Sequence, residues 1–145
     1  MKISIINGPN LNLTGTREPE IYGTQTLDDY MRMLAIAYPD VEFTTFQSNV
    51  EGEIVNEIQR VGFEVDGIII NAGAYSHYSI AIADALRAVT APAIEVHISN
   101  ILDREECRHK SMIGPACKGI IAGFGLDSYR LAVEALDATT MNYEF

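Results

Sequence analysis

The sequence alternates short runs rich in Ile and Val with longer segments in which apolar residues recur every three or four positions. The short runs predict five strands, at 3–6, 41–46, 67–70, 93–96 and 119–122. Short, nearly continuous apolar runs are typical of parallel strands that are buried on both faces of a sheet. Because parallel strands need crossover connections that are usually helices, the alternation predicts an α/β fold.

The longer segments carry apolar stripes that each mark one face of a helix. These stripes lie within 27–38, 50–61, 82–89 and 129–136. Thr26 is expected to cap the first helix and Pro39 to end it. Gly62 is expected to end the second helix, and Asp127 to open the fourth. Five strands with interleaved helices predict a flavodoxin-like, doubly wound parallel sheet of order 2-1-3-4-5 with helices on both faces.

The composition is that of a globular protein. Of its 145 residues, 48% are hydrophobic and 21% are charged, which predicts one soluble domain over 1–145. No apolar run is long enough to span a bilayer, and residues 1–7 predict a strand rather than a signal peptide. Cys107 and Cys117 are too few for a disulfide framework, so a reduced, cytoplasmic setting is expected.

The charge distribution predicts a small anionic ligand. A net charge of −10 argues against nucleic acid or an anionic membrane as partner, since both favour a basic surface. Four of the ten basic residues nevertheless fall within 98–118, namely Arg104, Arg108, Lys110 and Lys118. A local cationic site on an acidic protein suits a small anion, although a solvated basic loop explains the same pattern.

Polar segments follow three of the predicted strands. They are 7–12 after the first strand, 71–77 after the third and 95–100 at the end of the fourth. Ligands of doubly wound sheets bind beyond the carboxyl ends of the strands, near the point where the strand order reverses. The topology would therefore gather these segments into one site.

Several common chemistries are excluded by what these segments lack. No G-x-G-x-x-G follows the first strand and no G-K-[ST] is present, which excludes a dinucleotide fingerprint and a P-loop. Cys107-x-His109 could be half of a metal site, but no second pair of ligands lies at metal-binding spacing, which argues against such a site. Ser76 and His77 are sequence neighbours, which is poor geometry for a nucleophile and its base. An acid–base site without cofactor or metal remains.

Glu95 and His97 are the candidate acid–base pair. They are two residues apart on a strand, so their side chains point to the same face. A carboxylate beside an imidazole orients the ring and favours its protonated form, which suits a general acid, although a structural histidine at a strand end explains His97 equally well. The polar segment 14–23, with Gly15 and Gly23 near its ends, suits a lid over the strand ends, although an ordinary surface loop explains the same pattern.

Five motifs in register carry a family resemblance. They are Ile-Asn-Gly-Pro-Asn-Leu-Asn-Leu at 6–13, Arg-Glu-Pro-Glu-Ile-Tyr-Gly at 17–23, Asn-Ala-Gly-Ala-Tyr-Ser-His at 71–77, Glu-Val-His-Ile-Ser-Asn at 95–100 and Gly-Ile-Ile-Ala-Gly-Phe-Gly at 119–125. The chain thereby resembles the type II 3-dehydroquinate dehydratases. The resemblance implies a flavodoxin-like, cofactor-free and metal-free enzyme that assembles as a homododecamer of four trimers. It also implies anti elimination of water from 3-dehydroquinate, through an enolate, to give 3-dehydroshikimate in shikimate biosynthesis or quinate catabolism.

The resemblance gives catalytic roles to five residues. Tyr22 would be the base that removes the proton alpha to the ketone, with Arg17 beside it. One cation at about 4 Å can lower a tyrosine pKa by about three units before desolvation offsets it. His97, oriented by Glu95, would protonate the departing hydroxyl. Asn10 would position a water that stabilises the enolate oxygen.

The resemblance also implies a binding set and two departures from the commonest family pattern. Asn71, Ser99 and the backbone amides of Ile98 and Ser99 would hold the substrate carboxylate, His77 and Arg108 would bind ring hydroxyls, Arg104 would add positive potential, and Asp84 would complete the site of a neighbouring subunit. Thr14 and Cys107 stand where the family usually has other residues. Both departures are expected to affect packing or the lid rather than the chemistry.

Two other classes of function stay open at the level of sequence. A flavin-binding electron carrier on this fold would be yellow, and 13–16 faintly resembles a flavodoxin phosphate loop. A non-catalytic ligand-binding protein is disfavoured because base, acid and carboxylate-binding groups are all present. A Schiff-base dehydratase is disfavoured because the three lysines are Lys2, Lys110 and Lys118, none of which ends an interior strand.

Overall fold

The computed structural model describes residues 1–16, 18, 20 and 24–138. The strands are β1 (Lys2–Asn7), β2 (Glu42–Gln47), β3 (Gly67–Asn71), β4 (Ala93–His97) and β5 (Gly119–Ala122). The helices are α1 (Leu27–Ala37), α2 (Glu51–Val61), α3 (Ile80–Ala88) and α4 (Asp127–Ala138). All five predicted strands and all four predicted helices are confirmed, with ends that differ by a few residues at most.

The five strands form one parallel sheet of order β2-β1-β3-β4-β5, as predicted. Its centre is buried on both faces, because almost every residue of β1, β3 and β4 is out of contact with solvent. The expectation that all five strands are buried in this way is wrong for β2 and β5, which are partly exposed. These two are the edge strands, so one side of each has no neighbouring strand and the helices cover them only in part.

Each face of the sheet packs against its own pair of helices. On one face, Ile6, Ile68 and Ile70 contact the buried stripes of α2 and α3. On the other, Ile5 and Val96 belong to a cluster that includes the stripes of α1 and α4. The predicted three-layer α/β/α arrangement is therefore confirmed. No helix in the described part of the chain is long and apolar enough to cross a membrane.

The predicted helix ends have identifiable causes. The Thr26 hydroxyl accepts a hydrogen bond from the Asp29 amide at 3.1 Å and so caps α1. Gly62 follows α2 with ordinary right-handed backbone angles. A Cβ at this position would lie 2.4 Å from the Val89 side chain, so glycine is required by close packing rather than by a left-handed turn.

The strand register brings the polar strand ends together. Asn7 at the end of β1 pairs with Asn71 at the end of β3. His97 ends β4, the next strand in the sheet. The strand order reverses between β1 and β3, so these side chains lie at the edge where such sheets bind ligands. The prediction that polar segments converge there is confirmed.

Candidate active site

A cavity lies at this edge of the sheet. Its lining includes eight of the predicted site residues, which are Asn10, Asn71, His77, His97, Ile98, Ser99, Arg104 and Arg108. They come from the ends of β3 and β4 and from the segments that follow β1, β3 and β4, although Asn10 and Arg108 are almost one hundred residues apart along the chain. The topology therefore assembles one site from the segments that the sequence singled out.

Glu95 and His97 form a buried pair on β4. Oε2 of Glu95 lies 3.5 Å from Nε2 of His97, and neither atom has a hydrogen-bond partner among the described residues. Glu95 is fully buried, whereas His97 lines the cavity. The two atoms are close enough for the carboxylate to orient the imidazole ring, and the ring lines the cavity where it can reach a ligand.

The other oxygen of Glu95 is held by a serine that the sequence analysis did not single out. The Ser111 hydroxyl donates to Oε1 of Glu95 at 2.6 Å and accepts from the Gly114 amide at 2.8 Å. Ser111 lies on the connection between β4 and β5, 16 residues beyond Glu95. No local spacing rule links a loop serine to a strand carboxylate at this separation.

Asn71 is held by a buried network that includes Tyr129 and Asn7. Nδ2 of Asn71 donates to the Tyr129 hydroxyl at 3.0 Å, and that hydroxyl donates to Oδ1 of Asn7 at 2.6 Å. Oδ1 of Asn71 accepts from the Gly73 amide at 3.2 Å. Burial raises the pKa of Tyr129, which keeps the phenol protonated as this network requires. The sequence predicted Tyr129 as a core residue of α4 but not as a support for Asn71.

Asn10 is held in place by its backbone. Its φ of 68° lies in the left-handed region, which asparagine tolerates better than most residues. Its amide donates to Oδ1 of Asn49 at 3.0 Å. Gly8 makes the turn possible, because a Cβ there would lie 2.4 Å from the Ala72 carbonyl oxygen. The loops after β1 and β3 therefore touch, and both line the cavity.

The cavity wall is cationic. Arg104 and Arg108 both line it, and no carboxylate is among the described lining residues. Nη1 of Arg104 donates to the Ser99 hydroxyl at 3.1 Å, and Nε of Arg108 donates to Glu105 at 3.0 Å. The Arg108 hydrogen bond lowers the pKa of Glu105, so this carboxylate stays ionised and holds the guanidinium. The arrangement suits an anionic ligand, as the basic segment predicted.

His77 lies against His97. Their rings stack with centroids 5.6 Å apart, and Nδ1 of His77 is 2.8 Å from the Lys110 carbonyl oxygen. Burial lowers the pKa of His77, and the neighbouring His97 and Arg108 act in the same direction. A neutral His77 can hydrogen-bond to a hydroxyl group of a ligand without adding to the positive charge of the cavity.

Four predicted residues are not among the described residues that line the cavity, and the fully buried Glu95 is one of them. Tyr22 and Arg17, the predicted base and its cation, lie outside the described residues, as does part of the predicted lid at 14–23. Asp84 lies on α3 with its side chain 71% exposed and 3.8 Å from Nη1 of Arg87. It does not line the cavity of its own chain.

The cysteines and the Cys107-x-His109 segment are separate from the cavity. Cys107 is exposed, and burial raises the pKa of the Cys117 thiol to about 12. His109 is engaged elsewhere, since its Nε2 lies 2.7 Å from the Arg104 carbonyl oxygen. Within 1–16, 18, 20 and 24–138, no group of three or more His, Cys, Asp or Glu is placed to hold a metal ion.

Comparison with known proteins gives one consistent family. The sequence model of the family "Dehydroquinase class II" matches residues 1–137. The chain is 56% identical over 138 residues to the 3-dehydroquinate dehydratase of Caldicellulosiruptor bescii, covering 93% of this chain and 95% of that protein. It is 52% identical over 136 residues to the enzyme of the same name from Chlorobaculum tepidum, covering 91% and 90%.

Solved structures agree with the sequence comparison. The type II dehydroquinase of Butyrivibrio crossotus superposes with a TM-score of 0.91 at 48% identity, covering 94% of this chain and 97% of that one. A 3-dehydroquinate dehydratase-like protein from Bifidobacterium longum is more distant, with a TM-score of 0.69 at 28% identity and 94% coverage of both chains.

Proposed function

The chain belongs to the class II dehydroquinase family and is a 3-dehydroquinate dehydratase, a hydro-lyase, and on that premise we propose that it eliminates water by an anti mechanism through an enolate, without a cofactor. The observation that carries this mechanism is the buried Glu95–His97 pair, which opens onto a cavity lined by Arg104 and Arg108. A proton donor in a cationic cavity suits the departure of a hydroxyl group from an anionic substrate.

The first step is removal of a proton from the carbon alpha to the ketone. Tyr22, as a phenolate stabilised by Arg17, takes this proton, and the electron pair of the C–H bond forms the enolate. Asn10 positions a water molecule that donates to the enolate oxygen. The left-handed backbone of Asn10 and its bond to Asn49 support this role, because they hold Asn10 at the cavity wall.

The second step is departure of the hydroxyl group. The enolate electrons re-form the ketone and the new carbon–carbon double bond as the C–O bond breaks. His97 gives its proton to the departing oxygen, so the leaving group is water and the sum of the two steps is 3-dehydroquinate to 3-dehydroshikimate plus water. Tyr22 then holds the proton taken from carbon, and its return to His97 through solvent resets the site.

Binding of the substrate is divided among the other cavity residues. We propose that Asn71, Ser99 and the amides of Ile98 and Ser99 hold the carboxylate, and that His77 and Arg108 hold ring hydroxyls. Arg104, bonded to Ser99, adds positive potential to the same side. The absence of a carboxylate from the described cavity lining supports an anionic substrate.

Assembly and setting are also part of the proposal. The chain acts as one catalytic domain over 1–145, with 14–23 as the lid, in a homododecamer built from trimers in the cytoplasm. Asp84 completes the site of a neighbouring subunit, which its exposure and its position outside its own cavity support. The reaction serves shikimate biosynthesis or quinate catabolism.

Two chemical experiments test the mechanism. With 3-dehydroquinate deuterated on either face of the carbon alpha to the ketone, mass spectrometry should show loss of the hydrogen that is anti to the departing hydroxyl. Borohydride added with substrate should leave the enzyme active, because no lysine forms a Schiff base. Loss of the hydrogen on the same side as the hydroxyl, or inactivation by borohydride, would overturn the proposed mechanism.

A further inference from the structure

Ser111 lies behind the catalytic pair, on the opposite side of Glu95 from His97. Its hydroxyl is 2.6 Å from Oε1 of Glu95, whereas Oε2 of the same carboxylate is 3.5 Å from His97. We propose that Ser111 is a positioning residue, which fixes the Glu95 carboxylate so that its second oxygen faces the general acid His97. This inference rests on the proposed function.

The direction of the Ser111 hydrogen bond follows from its other partner. The Gly114 amide donates to Oγ of Ser111 at 2.8 Å, so Oγ acts as an acceptor there and its own hydrogen is free to point to Glu95. An ionised carboxylate can only accept, which matches this direction. The Ser111 hydroxyl therefore holds Oε1 of Glu95 and leaves Oε2 facing His97.

The burial of Glu95 makes this bond important for its geometry. Glu95 is fully buried, and in the part of the chain that the structure describes its Oε2 has no hydrogen-bond partner. Without Ser111, neither oxygen would have a hydrogen-bond donor within the described residues, and the carboxylate could rotate away from His97. That rotation would leave the imidazole without a fixed partner.

The Ser111 loop is anchored independently of any ligand. The amide of Met112, the next residue, donates to the Ser76 carbonyl oxygen at 2.7 Å, in the segment that carries His77. Gly114 holds Ser111 from the other side. Ser111 itself is not among the residues that line the cavity, so its effect must act through Glu95 rather than through contact with substrate.

A set of variants tests this role by turnover of 3-dehydroquinate. Ser111→Ala should lower kcat by about tenfold and change KM by less than about twofold, because it affects the proton donor and not the binding groups. Ser111→Thr keeps the hydroxyl and should restore most of kcat. Ser111→Cys, a weak donor of similar shape, should fall between them and serves if Ser111→Ala does not fold.

A double-mutant cycle separates positioning from general destabilisation. In a Glu95→Gln background there is no charge left to orient, so adding Ser111→Ala should lower kcat by less than about twofold. Ser48 offers a matched control, since its hydroxyl also donates to a carboxylate, that of Glu53, and accepts from the Val50 amide. Ser48→Ala should lower the melting temperature without lowering kcat.

The outcomes separate the two levels of the proposal. If the wild-type chain turns over 3-dehydroquinate and kcat is unchanged in Ser111→Ala and Ser111→Cys, the proposed role of Ser111 is overturned and the proposed function stands. The same would follow if Ser111→Ala kept its full effect in the Glu95→Gln background, or if Ser111→Thr were as slow as Ser111→Ala. Absence of turnover by the folded wild-type chain would overturn the proposed function, and the role of Ser111 with it.

Discussion

The Tyr129 hydroxyl on α4 accepts a hydrogen bond of 3.0 Å from the Asn71 side chain at the end of β3. Tyr129 also donates a hydrogen bond to Asn7, and the Asn71 side chain also accepts one from the Gly73 amide. Together these hydrogen bonds fix the orientation of the Asn71 amide. One N–H of Asn71 remains for a ligand in the cavity that it lines. A core residue of the last helix therefore determines how a binding residue is presented.

Tyr129→Phe should reduce both stability and substrate binding. The change leaves buried polar atoms of Asn7 and Asn71 without their partner, which should cost about 1–3 kcal/mol of the free energy of unfolding. Freed from Tyr129, Asn71 should bind substrate less well, raising KM by about tenfold with little change in kcat. Urea unfolding and steady-state kinetics measure the two effects. A KM equal to that of wild type would contradict the positioning of Asn71 by Tyr129.

The lowered pKa of His77 predicts a pH dependence of stability. Since burial lowers this pKa, the unfolded chain binds the proton more tightly, and unfolding takes up a proton between the lowered native value and about 6.5. The contribution of neutral His77 to the free energy of unfolding is fully present above about pH 6.5. It is lost as the pH falls towards the pKa of His77 in the native state. Urea unfolding of wild type and His77→Gln across this window measures it. A difference between the two that does not change with pH would contradict the prediction.

Arg17→Ala should move the acidic limb of the pH–rate profile. The base acts in its deprotonated form, so kcat/KM falls on the acidic side as the base takes up a proton. Removing the cation raises the pKa of the base, and the acidic limb should move to higher pH. Arg32→Ala is the control, because Arg32 is 69% exposed on α1 and pairs with Asp29. An acidic limb at the wild-type pH in Arg17→Ala would contradict the role of Arg17 as the cation that lowers the pKa of the base.

Complementation between inactive chains tests the proposed role of Asp84. Asp84→Ala and Tyr22→Phe should each be impaired alone, but chains dissociated, mixed and reassembled together should regain activity. If Asp84 acts in a neighbour's site, about a quarter of the sites in an equal mixture have both residues intact. Activity of the mixture no greater than the mean of its two components would show that Asp84 does not act across the interface.

The fold could be predicted because its signals are local. Apolar runs and helical stripes repeat over a few residues, and parallel topology then places the strand ends at one edge. The exposure of the edge strands could not be predicted in the same way. Ile120 of β5 is 47% exposed although its run is as apolar as a central strand, because exposure depends on position in the sheet.

The site could be predicted in part for the same reason. Asn71 and His97 are the last residues of β3 and β4, so topology alone brings them together. The hydrogen bonds that support the site could not be predicted in this way, because Ser111 is 16 residues from Glu95 and Tyr129 is 58 residues from Asn71. Contacts across such separations depend on how loops and helices pack, which no spacing in one sequence encodes.

Ultraviolet absorbance after mixing the chain with 3-dehydroquinate tests the proposed dehydration most directly. The product is a conjugated enone and absorbs where the substrate does not. Absorbance should rise with wild type and with the control variant Tyr38→Phe. Tyr38 directly follows α1, and its hydroxyl donates to Glu134. Tyr22→Phe should slow the rise by about 10²–10⁴-fold. No rise with folded wild-type protein would contradict the proposed activity and favour a binding protein on the same fold.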